Sequence, residues 1–405
     1  MGGVHDPDKM HFTVKTPLPD AVRFDSATTE RMVGRAGIES AFRVAIAVRA
    51  AVAVVALFAF SAAAGDATPS KWRSSRTPAA DAATPVAPAV TVSVECERGV
   101  LASDMPESAG VRVTLAGVPD EGGERVAVNA AFVLDASGAM KGWLFEKARE
   151  AVVDAVGRLD ARDVVSVVSF GERARILVPA QAGGEAGTAA ADALRAVAPG
   201  GEAAPFAGVA AGAAEVRKNL ARGLENRLFV VSAGGAATNA GPDDAFALLG
   251  ASLTKEGIVV SAVVAGSGGE DGAVAALARA SGGDARFAAD ADALPGLVAE
   301  ALEDAFRTVA REASVSVRFR DAFPVALEEA EGRIEDGVVS VRFGPVAAGR
   351  EKSVLVRTEF PAGKDGETRE FARAEAAWTR PGGGGSGNAA AVGSVKFSVD
   401  AAPAP

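Results

Sequence analysis

The chain has 405 residues, enough for two modest domains with a sizeable core; it is rich in Ala and Gly, lacks Tyr and carries a net charge of -10. The charge is spread without long runs of one sign, which argues against a nucleic-acid surface, so no nucleic-acid partner is expected. One Cys leaves no intrachain disulfide or Cys-based zinc site, and the two histidines, His5 and His11, leave the body of the chain without imidazole, the commonest general base.

Residues 1–65 read as a polar tail followed by a signal sequence or anchor. Arg35, Arg43 and Arg49 precede an uncharged run from Ala50 to Gly65 that closes on the small residues Ser61-Ala-Ala-Ala64, a secretory pattern for which Met32 is the more conventional start. Counted from Val44 the run is just long enough to span, so an uncleaved anchor stays open as the one route to a membrane. A buried Ala-rich soluble helix is the plainer alternative, weakened by the Pro/Ser/Thr/Ala spacer that follows at 66–88. The folded part is therefore expected outside the cytoplasm, secreted, periplasmic or membrane-anchored.

From 89 to 128 the pattern is β. Val90, Val92, Val94 and Cys96 alternate with Thr91, Ser93, Glu95 and Glu97, which places Cys96 on an apolar face as a packing residue; Val111 to Leu115 alternates likewise. The same signature returns in 312–400, at Val315–Phe319, Val339–Phe343, Val354–Thr358 and Val395–Val399. Two strands alone are not stable, so both flanks are expected to build one antiparallel β-sandwich around the region between them. Glu335-Asp-Gly337 and Lys364-Asp-Gly366 read as hairpin turns, and the Gly-rich loop 381–388 as a flexible connection, not a phosphate loop.

Region 129–311 alternates near-continuous apolar runs with helical patterns. Strands are read at Ala130–Leu134, Val164–Phe170, Leu228–Ser232, Ile258–Ala265 and near Arg286-Phe287, with Ala174–Val178 as an antiparallel edge. Helices are read from Trp143 and at 187–197, 206–222, 242–255, 271–281 and 291–311. This rhythm predicts an α/β, doubly wound, mostly parallel sheet, with any site beyond the C-terminal ends of its strands.

Phe132-Val-Leu-Asp-Ala-Ser-Gly-Ala-Met140 resembles the start of a von Willebrand factor A (VWA) domain. Leu159–Phe170, Pro199-Gly-Gly201, Arg227–Ser232 and Gly257–Ala265 follow in the family's order, and the flanks resemble the β-sandwich that accompanies this domain in bacterial secreted proteins. The resemblance implies Mg²⁺ or a similar cation held by an Asp-x-Ser-x-Ser turn, a Thr in a second loop and an Asp after a later strand. A partner's carboxylate then fills the open position. Mg²⁺ takes near-octahedral oxygens and keeps several waters. Here Asp135 and Ser137 keep the family residues, but Ala139 stands at the second Ser, Glu202 at the Thr and Ala233 at the Asp.

The implied metal site is degenerate. Glu202 either supplies a compensating carboxylate, giving an Asp135, Ser137, Glu202 site for Mg or Mn, or is a solvated loop residue. Asp135 and Ser137 would otherwise cap backbone N–H groups of their turn. With no Gly-x-Ser-x-Gly elbow and no Gly-x-Gly-x-x-Gly after a strand, no catalytic residue is assigned and no cofactor is expected. The reading is a non-enzymatic protein-interaction or adhesion module with a protein partner, and metal-dependent adhesion is its alternative. Trp143 and Phe206, the aromatic residues near the loop edge, read as helix-start core residues, and the loops offer no aromatic hot spot.

Overall fold

The computed structural model describes residues 88–401, apart from 120–121, 221–222, 235–242, 267–271 and 329–331. The signal or anchor reading of 1–65 and nearly all of the 66–88 spacer lie outside the described residues. Among the described residues, no helix is long and apolar enough to cross a membrane.

Three strands come first: β1 (Val90–Cys96), β2 (Val100–Ala102) and β3 (Glu107–Gly117). The α/β region then runs β4 (Val128–Asp135), α1 (Trp143–Gly157), β5 (Val164–Phe170), β6 (Ala174–Ala182), α2 (Ala186–Arg195), α3 (Pro205–Arg217) and β7 (Glu225–Ala233). It continues through α4 (Asp243–Lys255), β8 (Ile258–Ala265), α5 (Ala273–Ala280), β9 (Ala285–Ala288) and α6 (Leu294–Phe306). The last strands are β10 (Thr308–Phe319), β11 (Phe323–Glu328), β12 (Gly332–Glu335), β13 (Val338–Ala347), β14 (Glu351–Phe360), β15 (Thr368–Thr379) and β16 (Ser386–Ser398).

The central sheet has the order β6-β5-β4-β7-β8-β9, parallel except for the antiparallel edge β6. β4, β5 and β8 are buried along their whole length because helices cover both faces. One layer packs α1, α2 and α6 around Phe132, Phe145 and Leu302; the other packs α3, α4 and α5 around Val133, Phe170 and Leu277. Phe132 stacks on Phe229 of the next strand at 5.0 Å between ring centroids.

Both flanks do build one sandwich. Its sheets run β1-β3-β14-β11 and β12-β13-β10-β15-β16-β2, and Val111, Val113, Val317, Phe360, Phe371 and Phe397 fill the space between them. Cys96 packs against this core and burial pushes its thiol pKa up, as suits a packing residue rather than a nucleophile. Asp336 and Gly337 both take positive φ, 50° and 73°, giving the expected hairpin between β12 and β13. Lys364-Asp-Gly366 is different. It joins β14 to β15, which belong to different sheets, so it is a crossover between layers and not a hairpin.

Two helices end earlier than the sequence suggests. α3 stops at Arg217, where the N–H groups of Lys218 and Asn219 bond to carbonyls three residues back and tighten the chain into a turn. α6 stops at Phe306 instead of 311. The Thr308 hydroxyl donates back towards the carbonyls of Asp304 (3.2 Å) and Ala305 (3.1 Å), and the alternation of β10 begins there.

The α/β region meets the sandwich through a polar junction. Lys352 Nζ reaches Asp284 at 3.1 Å and the Phe343 carbonyl at 3.1 Å. Burial pulls the Lys352 pKa down; burial also works against the Asp284 carboxylate, but Lys352, Arg286 and Arg227 outweigh it and hold its pKa below the ordinary value. Asp304 accepts from Arg286 and Arg350, and Glu225 from Arg311. At the centre, backbone meets backbone: a Cβ on Gly344 would stand 2.1 Å from the Gly282 carbonyl oxygen.

Candidate functional site

β4 delivers Asp135 to the C-terminal edge of the sheet, where the residue is 2% exposed. Its Oδ1 accepts the Ser137 N–H at 2.8 Å, and its Oδ2 accepts the Ala233 N–H at 3.3 Å from the end of β7. The carboxylate thus closes its own turn and ties it to the neighbouring strand, the capping role expected of it. Burial pushes its pKa up, against the pull of those two N–H groups. Ser137 does not cap. Its Oγ is buried near the carboxylate but makes no hydrogen bond of good geometry.

Backbone hydrogen bonds join the second loop to this turn. Gly138 N–H donates to the Gly201 carbonyl at 2.8 Å, and Gly200 N–H donates to the Ala136 carbonyl at 2.8 Å. Glu202 follows directly, with its side chain exposed, and Ala139 is exposed as well. Ala233 is half-buried beside a cavity of about 30 Å³ lined by Asp135, Ser232, Gly234 and the start of α5.

The rim carries an exposed aromatic ring. Trp143 was expected in the core, yet it is 62% exposed, because Phe145 and Ala148 take the buried stripe of α1 and leave its first residue outside. Lys147 lies over the Trp143 ring, 4.9 Å from the centroid. The Lys141 side chain passes over Gly138, its Cε 3.9 Å from where a Cβ would stand. Phe206 is half-buried and packs edge-on against Phe246 at 5.6 Å, closer to its expected role.

Residues 129–300 match the family model of the von Willebrand factor type A domain. The chain contains a von Willebrand factor type A domain. A von Willebrand factor type A structure from Catenulispora acidiphila is 15% identical with a TM-score of 0.57, covering 77% of this chain and 74% of its own. At that identity the likeness speaks for the fold. The ArnB paralog VWA2 from Sulfolobus acidocaldarius is 13% identical with a TM-score of 0.47, covering 77% of each chain. The pilus adhesin SpaC from Lactobacillus rhamnosus GG is 12% identical with a TM-score of 0.38, covering 76% of this chain and 48% of its own. Among curated proteins, none matches this chain.

A VWA domain raises the question of a bound cation. Among the described residues, the side-chain donors at this edge fall short of what Mg²⁺ or Mn²⁺ takes. Both Asp135 oxygens already accept N–H groups, and the Ala139 and Ala233 side chains carry no oxygen. The Ser137 hydroxyl is the one unsatisfied oxygen in the turn. A hard cation with so few protein ligands would have to take most of its coordination from water. Among the described residues, no group of three His, Cys, Asp or Glu is placed to hold a metal.

Proposed function

We propose that this chain is a non-enzymatic protein-interaction module of adhesion type, working outside the cytoplasm, whose VWA loop edge binds a protein partner without a metal ion. The observation that carries this reading is the make-up of that edge. Its one buried carboxylate is held by backbone N–H groups, while Trp143 projects from the rim with Lys147, itself paired with Glu150, over its ring. An exposed Trp is the kind of anchor that dominates protein interfaces, and it suits a partner surface bearing an apolar pocket.

The lack of imidazole in the body of the chain and the raised thiol pKa of Cys96 support the non-enzymatic part of the reading. The Arg-flanked apolar run before Gly65 supports the location. A second reading has one observation in its favour. The buried, unpartnered Ser137 hydroxyl is what a metal ligand looks like without its metal, and with Asp135 and Glu202 it would make a reduced Mg or Mn site.

The test immobilises the full chain and presents a cell-surface extract in 5 mM EDTA or 5 mM Mg²⁺. The proposal expects the same protein retained in both, and lost with Trp143→Ala at unchanged melting temperature. Retention in Mg²⁺ only, lost with Asp135→Ala, would establish the metal-dependent reading instead.

A further inference from the structure

The pentapeptide Val-Ser-Val-Arg-Phe occurs twice, at 315–319 and 339–343, and the structure pairs the two copies antiparallel, with Ser316 opposite Ser340. The valines and phenylalanines turn into the sandwich core, so the serines and arginines of both copies share the outer face. β15 and β16 extend that face with Arg373, Glu375, Ala377 and Ala390. The result is a sheet surface with a floor of small side chains and arginines along its margins.

This face is not simply open to water. The C-terminal end of α5 and the loop after it stand over one side and enclose a trough of about 2020 Å³ with the sheet. Small-molecule sites occupy roughly 300–1,000 Å³, so the trough is scaled for a polymer. Its lining carries Arg279, Arg333, Arg342, Lys352 and Arg373 against Asp284 and Glu375, on a chain whose net charge is -10. Lys352 is held by Asp284, and Arg373 lies 3.4 Å from Glu375. Arg333 and Arg342 have no carboxylate partner among the described residues, and neither has Arg318, two residues beyond Ser316 on the same face.

The polymer's chemistry follows from what the trough lacks. Single-stranded nucleic acid binds by stacking bases on aromatic rings. Phe343, the aromatic residue along the trough, is buried in the sandwich core. Guanidinium forks recognise carboxylates, and serine hydroxyls both donate to and accept from peptide groups. Arg333 and Arg342 line the trough on adjacent strands, and Arg333 pairs with Ser340, two residues before Arg342. Two guanidinium groups that close suit neighbouring carboxylates on an extended peptide.

We propose that the trough between α5 and the outer face of the six-stranded sheet docks an acidic, extended polypeptide segment of a partner protein. It is a second surface, and it does not depend on how the VWA loop edge binds. The experiment is fluorescence anisotropy of labelled deca-glutamate titrated with the full chain, in 50 and 300 mM salt. Saturable binding is expected, at least tenfold weaker in high salt and at least tenfold weaker with Arg333→Glu plus Arg342→Glu. These side chains are exposed, so the fold should survive, as the melting temperature would report. Trp143→Ala and a charge-matched control, Lys255→Glu plus Lys364→Glu, should bind like the parent. The proposal fails if deca-glutamate does not saturate, or if the control weakens binding as much as the trough variant. It fails equally if heparin or an oligonucleotide competes as well as the peptide, which would make the trough a general polyanion site. A dimer seen by light scattering and dissolved by the trough variant would give the surface to a second copy of the chain and overturn it too.

Discussion

Asp135 is the residue at which a metal-dependent and a metal-free edge predict opposite results. Replacing it with Ala leaves the Ser137 and Ala233 N–H groups without their acceptor. An unsatisfied buried N–H costs about 1–3 kcal/mol. The Ala233 bond is long and its residue half-buried, so the loss should total about 2–4 kcal/mol. Asn keeps one acceptor for Ser137 and removes a charge that burial disfavours, so Asp135→Asn should cost less than Ala by about 1 kcal/mol or more. The pH dependence separates the two terms. Burial raises the folded pKa of Asp135 above the ordinary 3.8, so between those values the folded state holds more protons than the unfolded one. Stability from this group therefore falls as pH rises through that window, and Asn lacks the effect. Urea midpoints from pH 4 upwards should show the Asn variant gaining on the parent through the window, then holding level. A cation would reverse this order. At a hundredfold excess over its Kd, Mg²⁺ would add about 2.7 kcal/mol to the parent. That is about 5–11 °C for a folded unit of 150–250 residues. A saturable rise of that size in Mg²⁺ or Mn²⁺, absent from Asp135→Asn, would refute the metal-free edge; an Asn variant as unstable as Ala at every pH would refute the account of the turn.

Other predictions concern stability and the rim. Gly344→Ala forces a methyl against the Gly282 carbonyl and strains a residue at φ 70°, so it should cost at least about 2 kcal/mol by urea unfolding. Asp163 is buried and accepts from Arg125, Val128 N–H at 2.9 Å and Asp160 N–H at 2.8 Å; Asp163→Ala should cost about 3–5 kcal/mol, read as a lower urea midpoint. Phe132→Ala removes a fully buried ring stacked on Phe229 and should cost about 3–5 kcal/mol in the same assay. Trp143→Ala should stay within about 0.5 kcal/mol of the parent, since most of its ring is in water, while abolishing partner retention.

The central sheet was legible because a strand covered on both faces writes itself as an unbroken apolar run. Val164–Phe170 and Ile258–Ala265 fall on their read boundaries for that reason. The sandwich was legible only where alternation is clean. β15 does not read as a strand because its Ala- and Glu-rich sequence has helical propensity, and a bulge between Glu370 and Ala372 puts both Phe371 and Ala372 inside. β11 hides behind Pro324, which a strand tolerates at a sheet edge. At the loop edge, the side chains that could bind a metal could be read off directly, but the main-chain bonds joining the loops could not. Gly138 to Gly201 and Gly200 to Ala136 are contacts between atoms that every residue carries, signalled only by the glycines of 199–201. Trp143 reads as core but lies outside, because one residue at a helix start can fall to either side of an apolar stripe.

Those main-chain bonds also bear on what an aspartate at this position means. A doubly wound sheet brings several strand ends to one edge, each with N–H groups that no helix or neighbouring strand satisfies. Asp135 answers two of them, one from its own turn and one from β7. The Gly201 and Ala136 carbonyls answer others across the loops. The positions held by Ala139 and Ala233 enter this scheme through backbone at most, so they can carry a methyl group without loosening the edge. A carboxylate at 135 is thus required by the backbone whether or not a cation ever binds, and its presence alone is no evidence for one. What distinguishes a metal-binding edge is oxygen at the other positions. Here two of those positions carry methyl groups and the third an exposed glutamate, so Glu202 is the one residue among them that can still offer oxygen, while the most exposed aromatic ring of the domain stands a few residues away at Trp143.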